Sequence, residues 1–350
     1  MLQKPHKRPT IDQLNCPMHN IQTGITVVTG GAGLIGSATI WGINNQSLEN
    51  LWLVDWVEED SLKQRNLENL KYQRFLDAKL FRELIREKSA ELSEVNTIIH
   101  LGACSSTTET NEDYLDDNNF LYTIEVCEWA LENNARFVYA SSAATYGDGT
   151  MGMDDKEESI EKFQPLNLYG WSKHKFDLLA KKQGWFDKIT GLKYFNVYGP
   201  NEEHKESMRS VVSKAYEQIA KTSKMSLFKS HRKEYRDGEQ KRDFLYVKDA
   251  VQMTLWLVQN DQANGLFNLG NGQARTWLDL GKSIFSALKL QEKIEFVEMP
   301  LILQDKYQYF TEAKIEKLRE HGYGYNLFSL EDAVQDYVNN YLVPDLRLGA

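Results

Sequence analysis

A tyrosine and a lysine, Tyr169 and Lys173, stand four residues apart in the stretch YGWSK. Residues four apart lie on one face of a helix, so both side chains are predicted to point into the same site. A free tyrosine has a pKa of about 10, which is too high for a base at neutral pH, and a nearby ammonium favours the phenolate. The pair is therefore a candidate centre for proton transfer.

Two further residues extend this centre. Ser142 ends the predicted strand ARFVYASS, at the edge where α/β sheets usually bind ligands, and its hydroxyl could hold a reacting alcohol oxygen. Lys205 lies in the loop after another predicted strand, GLKYFNVYG. For Lys205 a phosphate anchor or a solvated lysine is the alternative to an acid or base. The candidate catalytic residues are Ser142, Tyr169, Lys173 and Lys205.

A glycine pattern upstream indicates what these residues act with. Gly31, Gly33 and Gly36 form a G-x-G-x-x-G sequence directly after the first predicted strand and at the start of a predicted helix. Such glycines allow a tight turn and a close approach of backbone to a pyrophosphate, which the positive end of the helix attracts. In this context the pattern predicts a dinucleotide site.

Three residues near the second strand bear on which dinucleotide binds. Asp55 ends that strand about 20 residues after the glycines, where an acid bonds the adenosine ribose and nominally favours NAD. Lys63 and Arg65 follow, and they either reach a 2′-phosphate or belong to a solvated charged helix. These residues alone leave NAD or NADP open. An oxidised nicotinamide would also favour the phenolate of Tyr169.

The elements around these residues predict the fold. Short apolar segments alternate with helical ones, which predicts βαβ units and a parallel sheet with helices on both faces. We expect an α/β protein with a Rossmann-type doubly wound sheet over 24–204. The looser pattern that follows predicts a smaller C-terminal α/β substrate lobe, mainly over 205–345, with some chain crossing back. Residues 1–23 are expected to be a mobile extension.

Longer strings, over about Gly24 to Tyr341, resemble the extended short-chain dehydrogenase/reductase family, and within it the ADP-L-glycero-D-manno-heptose 6-epimerases. The strings are GACSSTTE, DNN, YASSAATYG, PLNLYGWSK, YFNVYGP and KYQYFT. The resemblance implies an isomerase with bound NADP, with NAD as the alternative, that acts on an ADP-heptose for lipopolysaccharide. It also implies a cytoplasmic homo-oligomer, a pentamer.

The resemblance assigns site residues by motif. The predicted cofactor contacts are Gly30, Gly31, Gly33, Leu34, Ile35, Gly36, Asp55, Trp56, Lys63, Leu101, Gly102, Ala103, Cys104, Ser105, Asn118, Lys173 and Val197. The predicted substrate contacts are Asn196, Ser207, Lys214, Phe228, Arg242 and Tyr307.

Three departures from the family pattern accompany these assignments. Trp56 stands where a small polar residue is usual, and Lys214 replaces a histidine. The string FKSH, Phe228 to His231, opens a stretch that is more basic than the family pattern. That stretch, 229–241, is either a solvated loop or extra positive charge against the substrate pyrophosphate.

Inversion at carbon 6 accounts for a second lysine. No carbonyl adjoins this carbon, so its C–H is not acidic and the hydroxyl must first be oxidised to a 6-ketone. The same hydride then returns to the opposite face, so the oxygen occupies two positions. One acid or base cannot reach both unless the sugar swings widely. The resemblance implies that Tyr169 serves one position and Lys205 the other.

Competing functions differ in particular residues. A 4,6-dehydratase needs a carboxylate after the strand-end hydroxyl, where Ala143 and Ala144 stand instead. Another nucleotide-sugar epimerase, for example at carbon 4, stays open. A cofactor-sensing regulator has no need for Ser142, Tyr169 and Lys173 together.

Composition excludes several other classes. The formal net charge of −9 argues against nucleic acid or an anionic membrane as the main partner. No apolar run approaches the roughly 20 residues that cross a bilayer. Three cysteines and seven histidines show no zinc spacing, so no metal site is predicted, and such sparse cysteines fit a reducing compartment.

Overall fold

A parallel sheet lies at the centre of this computed structural model, which describes residues 19–59, 61–304 and 307–350. The strands in the described residues are β1 Ile25–Thr29, β2 Leu51–Asp55, β3 Arg74–Asp77, β4 Val95–His100, β5 Arg136–Ser142, β6 Ile189–Tyr194, β7 Asn196–Tyr198, β8 Met225–Phe228, β9 Lys241–Tyr246, β10 Gly265–Leu269, β11 Ala274–Thr276 and β12 Ile294–Val297. Seven of them form the central sheet in the order β10-β6-β5-β4-β1-β2-β3. Every pair in it is parallel, as the alternating pattern predicted.

Helices cover this sheet and build the second lobe. Their bounds in the described residues are α1 Leu34–Asn44, α2 Ala78–Arg86, α3 Glu112–Leu115, α4 Tyr122–Glu132, α5 Leu168–Lys182, α6 Val211–Thr222, α7 Val247–Gln259, α8 Trp277–Ala287, α9 Leu301–Gln304, α10 Glu316–Glu320 and α11 Leu330–Tyr337. A π-helical turn, Asp116–Leu121, joins α3 to α4 in one continuous helix. Within the described residues no helix is long and apolar enough to cross a bilayer.

Successive side chains of the sheet enter two different cores. Val27 and Val28 are neighbours in β1 and both are fully buried, but they point to opposite faces. Val28 packs with residues of α1 and α7, and Val27 packs with residues of α2, α4 and α5. Because both faces are covered, the central strands are apolar runs rather than alternating ones. The predicted doubly wound α/β fold is confirmed.

Two parts of the central sheet bear on the sequence-based expectation. The segment GLFNLG lies within 205–345, where some of the chain was expected to cross back, and it forms β10, which pairs with β6 at the edge of the central sheet. The chain therefore returns to the first domain through α7. Strand β3 was not predicted, because only Leu76 of its four residues is buried and such a short edge strand shows no alternation.

The second lobe is built around two small sheets. One has the order β11-β9-β7 and the other pairs β12 with β8. The predicted strand GLKYFNVYG is divided between the lobes, because β6 ends at Tyr194 and β7 begins at Asn196 in the β9 sheet. This transfer of one segment between two sheets places the following loop, with Lys205, at the boundary of the lobes.

Most of the extension predicted over 1–23 lies outside the described residues, which begin at His19. The remaining part is packed against the domain rather than mobile. His19 bonds the Thr97 hydroxyl at 2.7 Å, and Ile21 is only 3% exposed within the core. Burial of an apolar side chain of this size is worth about 1.5–3 kcal/mol, which holds this stretch in place.

Candidate active site

A cleft of about 510 Å³ opens at the carboxyl ends of the central strands. Its walls include all four candidate catalytic residues, Ser142, Tyr169, Lys173 and Lys205. The predicted cofactor contacts that line it are Gly30, Gly33, Leu34, Ile35, Gly36, Asp55, Lys63, Leu101, Gly102, Ala103, Cys104, Ser105, Lys173 and Val197. Gly31, Trp56 and Asn118 lie outside this lining.

The glycines of the first loop have different roles. A side chain at Gly36 would place its Cβ 2.0 Å from the Gly30 carbonyl oxygen, so this glycine permits the helix to pack on the loop. Gly30 has a φ of +66° and lies against the backbone of Gly102. At Gly33, by contrast, a Cβ would meet only one protein atom within 4 Å, so the space beside it is open. Gly33 also precedes α1 without a side-chain cap, which fits a pyrophosphate at this helix terminus.

An acid and an ammonium meet at the end of β2. Asp55 accepts the N–H of Ala32 at 2.8 Å on one carboxylate oxygen. Its other oxygen accepts from Lys63 Nζ at 2.6 Å and from the Trp56 N–H at 2.7 Å. Lys63 lines the cleft, whereas Arg65 pairs with Asp345 outside it. Asp55 thus offers carboxylate oxygens to a hydrogen-bond donor, and Lys63 offers an ammonium to the cleft.

The π-helical turn brings a buried asparagine to the cofactor side of the cleft. Asn119 is 1% exposed, accepts the Cys104 N–H at 2.8 Å and donates to the Cys104 carbonyl at 2.9 Å. It also donates to Ser172 Oγ of α5 at 3.0 Å. Asn118, the predicted cofactor contact, is the preceding residue and donates to Asn119 Oδ1 at 3.0 Å. Asn119 thus ties the loop after β4 to the helix that carries Tyr169.

Helix α5 begins at Leu168, so that Tyr169 and Lys173 both lie near its N-terminus. Asn167 caps it by accepting the Gly170 N–H at 2.8 Å, and this sets Tyr169 and Lys173 on its first turns. Burial raises the pKa of the Tyr169 phenol, and a hydrogen bond from Ser142 opposes that rise. Burial lowers the pKa of Lys173 to about 8, against the opposing charge of Asp177.

The expected lowering of the Tyr169 pKa is therefore not supplied by the protein alone. Desolvation disfavours the phenolate and outweighs the hydrogen bond from Ser142. The Ser142 hydroxyl is itself held in place, because it accepts the Ala144 N–H at 3.1 Å. Within the protein alone the Tyr169 phenol therefore keeps its proton at neutral pH.

Lys205 enters the same cleft from a different element. It lies in a 3₁₀ turn, Glu203–Met208, that follows β7, and its N–H donates to the Glu202 carbonyl at 3.0 Å. Burial lowers the pKa of Lys205, while the charge of Glu202 raises it and that of Lys214 lowers it further. A lysine with a lowered pKa gives up its proton at a lower pH than an exposed lysine does.

His204, which sequence reasoning did not select, also lines the cleft. Its Nδ1 lies 3.2 Å from the amide nitrogen of Asn66. Burial, and then the charge of Lys63, lowers the pKa of His204 to about 4, so the imidazole is neutral at physiological pH. A neutral ring between Lys63 and Lys205 adds polarity to the wall without a third positive charge. In the sequence, the feature that could have indicated His204 is its position next to Lys205.

The predicted substrate contacts lie outside the lining of this cleft. Arg242 and Tyr307 meet in the second lobe, where the guanidinium lies 5.2 Å from the Tyr307 ring and 5.7 Å from the Trp277 ring. Burial lowers the pKa of Arg242. The remaining four candidates are dispersed around them: Asn196 on β7, Ser207 after Lys205, Lys214 on α6 and Phe228 at the end of β8. In the basic stretch, Arg232 stacks on Tyr309 at 4.7 Å.

No metal centre is formed by the described residues. No group of three or more His, Cys, Asp or Glu side chains among residues 19–59, 61–304 and 307–350 is arranged to hold an ion.

Comparison with known proteins agrees with this site. A sequence model of the NAD dependent epimerase/dehydratase family matches residues 26–270. The ADP-L-glycero-D-manno-heptose-6-epimerase of Nitratidesulfovibrio vulgaris is 46% identical over 316 residues, which cover 90% of this chain and 97% of that protein. The resemblance read from the sequence motifs is thereby confirmed.

Solved structures show the same architecture. The Helicobacter pylori ADP-L-glycero-D-manno-heptose-6-epimerase matches with a TM-score of 0.74 and 25% identity, over 91% of this chain and 96% of that one. The Bacillus cereus UDP-glucuronic acid 4-epimerase in complex with UDP-glucuronic acid and NAD is 22% identical with a TM-score of 0.70, over 90% and 99% of the two chains, and shows the fold alone. The chain belongs to the NAD dependent epimerase/dehydratase family and groups within it with the ADP-L-glycero-D-manno-heptose-6-epimerases.

Proposed function

We propose that this protein inverts carbon 6 of ADP-D-glycero-D-manno-heptose to give the L-glycero epimer, as heptose supply for the lipopolysaccharide inner core. The observation that carries the proposal is that Tyr169 and Lys205, on separate elements, line one cleft with Ser142 and Lys173. An inversion needs proton transfer at two positions of one oxygen, and this cleft holds two groups able to supply it.

The first loop and its neighbours would hold the cofactor. The N–H groups of Gly33 and of the first residues of α1 would donate hydrogen bonds to the pyrophosphate. Asp55 and Lys63 would bind the adenosine ribose. The protein uses a nicotinamide cofactor, and we propose NADP because Lys63 lies in the cleft. When bound, the nicotinamide would supply the hydride chemistry at carbon 6 and a positive charge that favours the phenolate of Tyr169.

The side chains of the cleft then manage the proton. Ser142 and Tyr169 hold the carbon 6 oxygen in one orientation. In this orientation the Tyr169 phenolate exchanges one proton with the carbon 6 hydroxyl of the substrate. Lys173, four residues after Tyr169, favours the phenolate with its ammonium. After the 6-ketone has rotated to present its other face, Lys205 holds the oxygen in its second orientation and exchanges the other proton. The proton released in the oxidation is matched by the proton added in the reduction.

The second lobe would hold the nucleotide. Arg242 offers a guanidinium that suits phosphate oxygens, and its two aromatic neighbours fix its plane. Tyr307 accepts a hydrogen bond from Trp277 Nε1 at 2.9 Å, which holds its ring beside the guanidinium. Substrate affinity would then come from the lobe that does not carry the reacting groups.

Proton NMR of the purified enzyme with ADP-D-glycero-D-manno-heptose tests the reaction. We expect the 6-epimer to form, whereas UDP-galactose should not change at carbon 4. Lys205→Met should still bind substrate but lose nearly all turnover. The single variants Lys205→Met and Tyr169→Phe should each also lose the ability to dismutate an analogue with an aldehyde at carbon 6. Weak binding with normal kcat would make Lys205 a phosphate anchor, because loss of uniform binding raises KM alone.

The cofactor and the assembly have separate tests. Acid release and chromatography of the purified protein should yield mainly NADP, and mainly NAD would remove the phosphate-binding role of Lys63. We also propose that the enzyme is a cytoplasmic homo-oligomer, a pentamer. Light scattering on the purified protein should give five times the mass of one chain, and a monomer would contradict this.

A further inference from the structure

A fully buried carboxylate lies at the base of the loop that carries Lys205. The two oxygens of Glu202 accept hydrogen bonds from the Gly199 N–H at 3.4 Å, the Tyr337 hydroxyl at 2.9 Å and the Ser210 hydroxyl at 2.7 Å, and a further one from the Ser210 N–H. The side chain is 0% exposed. Four donors on two oxygens match an ionised carboxylate, which only accepts.

The charges that face Glu202 come from several elements. Tyr198 of β7 and Tyr337 of α11 are buried phenols whose pKa values are raised by burial first and by the Glu202 charge among other causes. The other charged neighbours are Glu203 and Lys205 of its own loop and Arg209 before α6. Arg209 is already paired with Glu217, and Glu203 lies 3.4 Å from Arg347. Among the described residues Glu202 has no ion pair within 4 Å, so its charge is not neutralised by contact.

The loop itself is held rigidly. Asn201 is fully buried with a φ of +76°, and its amide donates to Ser37 Oγ of α1 at 2.9 Å. Its oxygen accepts the Leu348 N–H at 3.0 Å. The next residue, Glu202, joins α6 and α11 through Ser210 and Tyr337. The turn that carries Lys205 is therefore bonded on three sides through residues that precede it.

We propose that Glu202 is a positioning residue for Lys205, which sets the turn in the cleft and supplies the negative charge that the ammonium faces. The inference rests on the proposed role of Lys205. It adds a residue that neither touches the cleft nor appears in its lining.

The electrostatic consequence has a definite sign. Burial and Lys214 both lower the pKa of Lys205, and Glu202 is the group that raises it. Without that charge the ammonium would lose its proton at lower pH. The limb of the pH–rate profile that depends on Lys205 should then move to lower pH, whether Lys205 acts as acid or as base.

The test compares kcat, KM and pH profiles of the wild type with those of Glu202→Gln, Glu202→Asp and Tyr337→Phe, all purified with cofactor. For Glu202→Gln we expect kcat to fall about 10²-fold, the cost of a misplaced catalytic group, with KM changed far less. One limb of its profile should move to lower pH. Glu202→Asp keeps the charge and should recover the wild-type limb. Tyr337→Phe removes one hydrogen bond but no charge, so its limbs should stay in place.

Two outcomes would overturn the inference. If Glu202→Gln keeps the wild-type kcat, the carboxylate does not act on Lys205. If kcat falls but neither limb moves, the residue has only a packing role, and Tyr337→Phe should then show a similar loss. Lys205→Met separates this from the proposed function. If the kcat of Lys205→Met collapses but the limbs of the pH–rate profile of Glu202→Gln do not move, only the inference about Glu202 is rejected. If Lys205→Met keeps normal turnover, the proposed role of Lys205 is rejected.

Discussion

At the scale of single residues, burial acts in opposite directions on the acids and bases of the cleft. It raises the pKa of the Tyr169 phenol and lowers those of Lys173 and Lys205, because in each case the neutral form is easier to desolvate. The tyrosine is therefore protonated at neutral pH. Burial brings the pKa of Lys173 to about 8, and it also lowers the pKa of Lys205.

Tyr169→Phe tests the phenol without changing the shape of the ring. We expect turnover to fall by about 10²- to 10⁴-fold, the usual contribution of an acid or base. Bound cofactor should be retained, because the variant keeps the apolar ring and leaves the glycine loop intact. The check is kcat together with cofactor released by acid from the same preparation. A rate near that of the wild type would remove Tyr169 from the mechanism.

Gly33→Val tests the glycine that faces the cleft. A Cβ at this position would meet one protein atom within 4 Å, the Gly30 carbonyl oxygen at 3.2 Å, so a side chain requires a small local shift. The valine would fill the space for a pyrophosphate, so the variant should fold but purify without nucleotide. Absorbance and acid release measure the nucleotide, and circular dichroism checks the fold. Gly324→Ala is the control, because its nearest atom lies at 3.9 Å and it is outside the cleft. Full nucleotide content in Gly33→Val would contradict the assignment.

At the scale of elements, a buried ion pair joins helix α5 to strands β5 and β6. Asp177 follows Lys173 by one turn and lies 2.6 Å from Lys193, and both side chains are 0% exposed. Asp177 also accepts from the hydroxyls of Tyr139 and Ser141, each at 2.7 Å. This network sets the helix that carries Tyr169 against the strand that ends in Ser142, since Ser141 is the preceding residue.

Asp177→Asn should be strongly destabilising. Removal of one member of a buried pair leaves the other charge uncompensated, at a cost of about 3–5 kcal/mol in the free energy of unfolding. Chemical denaturation of the apo and cofactor-bound forms measures it. Glu49→Gln is the matched control, because the Glu49–Lys71 pair is 58% and 69% exposed and such surface pairs are worth about 0–1 kcal/mol. A loss in Asp177→Asn as small as in the control would show that the network does not hold α5.

At the scale of the whole molecule, a histidine at the carboxyl end of a central strand is buried together with its hydrogen-bond partners. His100 ends β4 and is 1% exposed, with Nδ1 at 2.9 Å from the Thr29 hydroxyl and Nε2 at 3.1 Å from the Thr123 hydroxyl. Burial, and then the charge of Lys173, lowers its pKa to about 3. The imidazole is therefore neutral in the folded protein and becomes protonated on unfolding in mild acid.

His100 should make the fold sensitive to acid. A base with a lowered pKa in the folded state binds its proton more readily when unfolded, so stability falls as pH drops from about 6.5 towards 3. The slope for one group is about 1.4 kcal/mol per pH unit, or about 2 kcal/mol between pH 6.5 and 5. Urea unfolding at several pH values should show this loss in the wild type and less of it in His100→Gln. Parallel pH curves for the two proteins would contradict the prediction.

The sequence by itself determined the parts of this protein that depend on local spacing. The glycine pattern after β1, the alternation of apolar strands with helices, and the i, i+4 spacing of Tyr169 and Lys173 each act within one element, and each was read correctly as local structure. The family resemblance came from the same kind of contiguous strings. Only the tertiary structure decided what depends on contacts distant in the chain. It placed β10 at the edge of the central sheet, buried Asn119 against the loop after β4, and brought Lys205 into the same cleft as Tyr169. Those outcomes follow from burial and hydrogen bonding between separate elements, which the order of residues does not show.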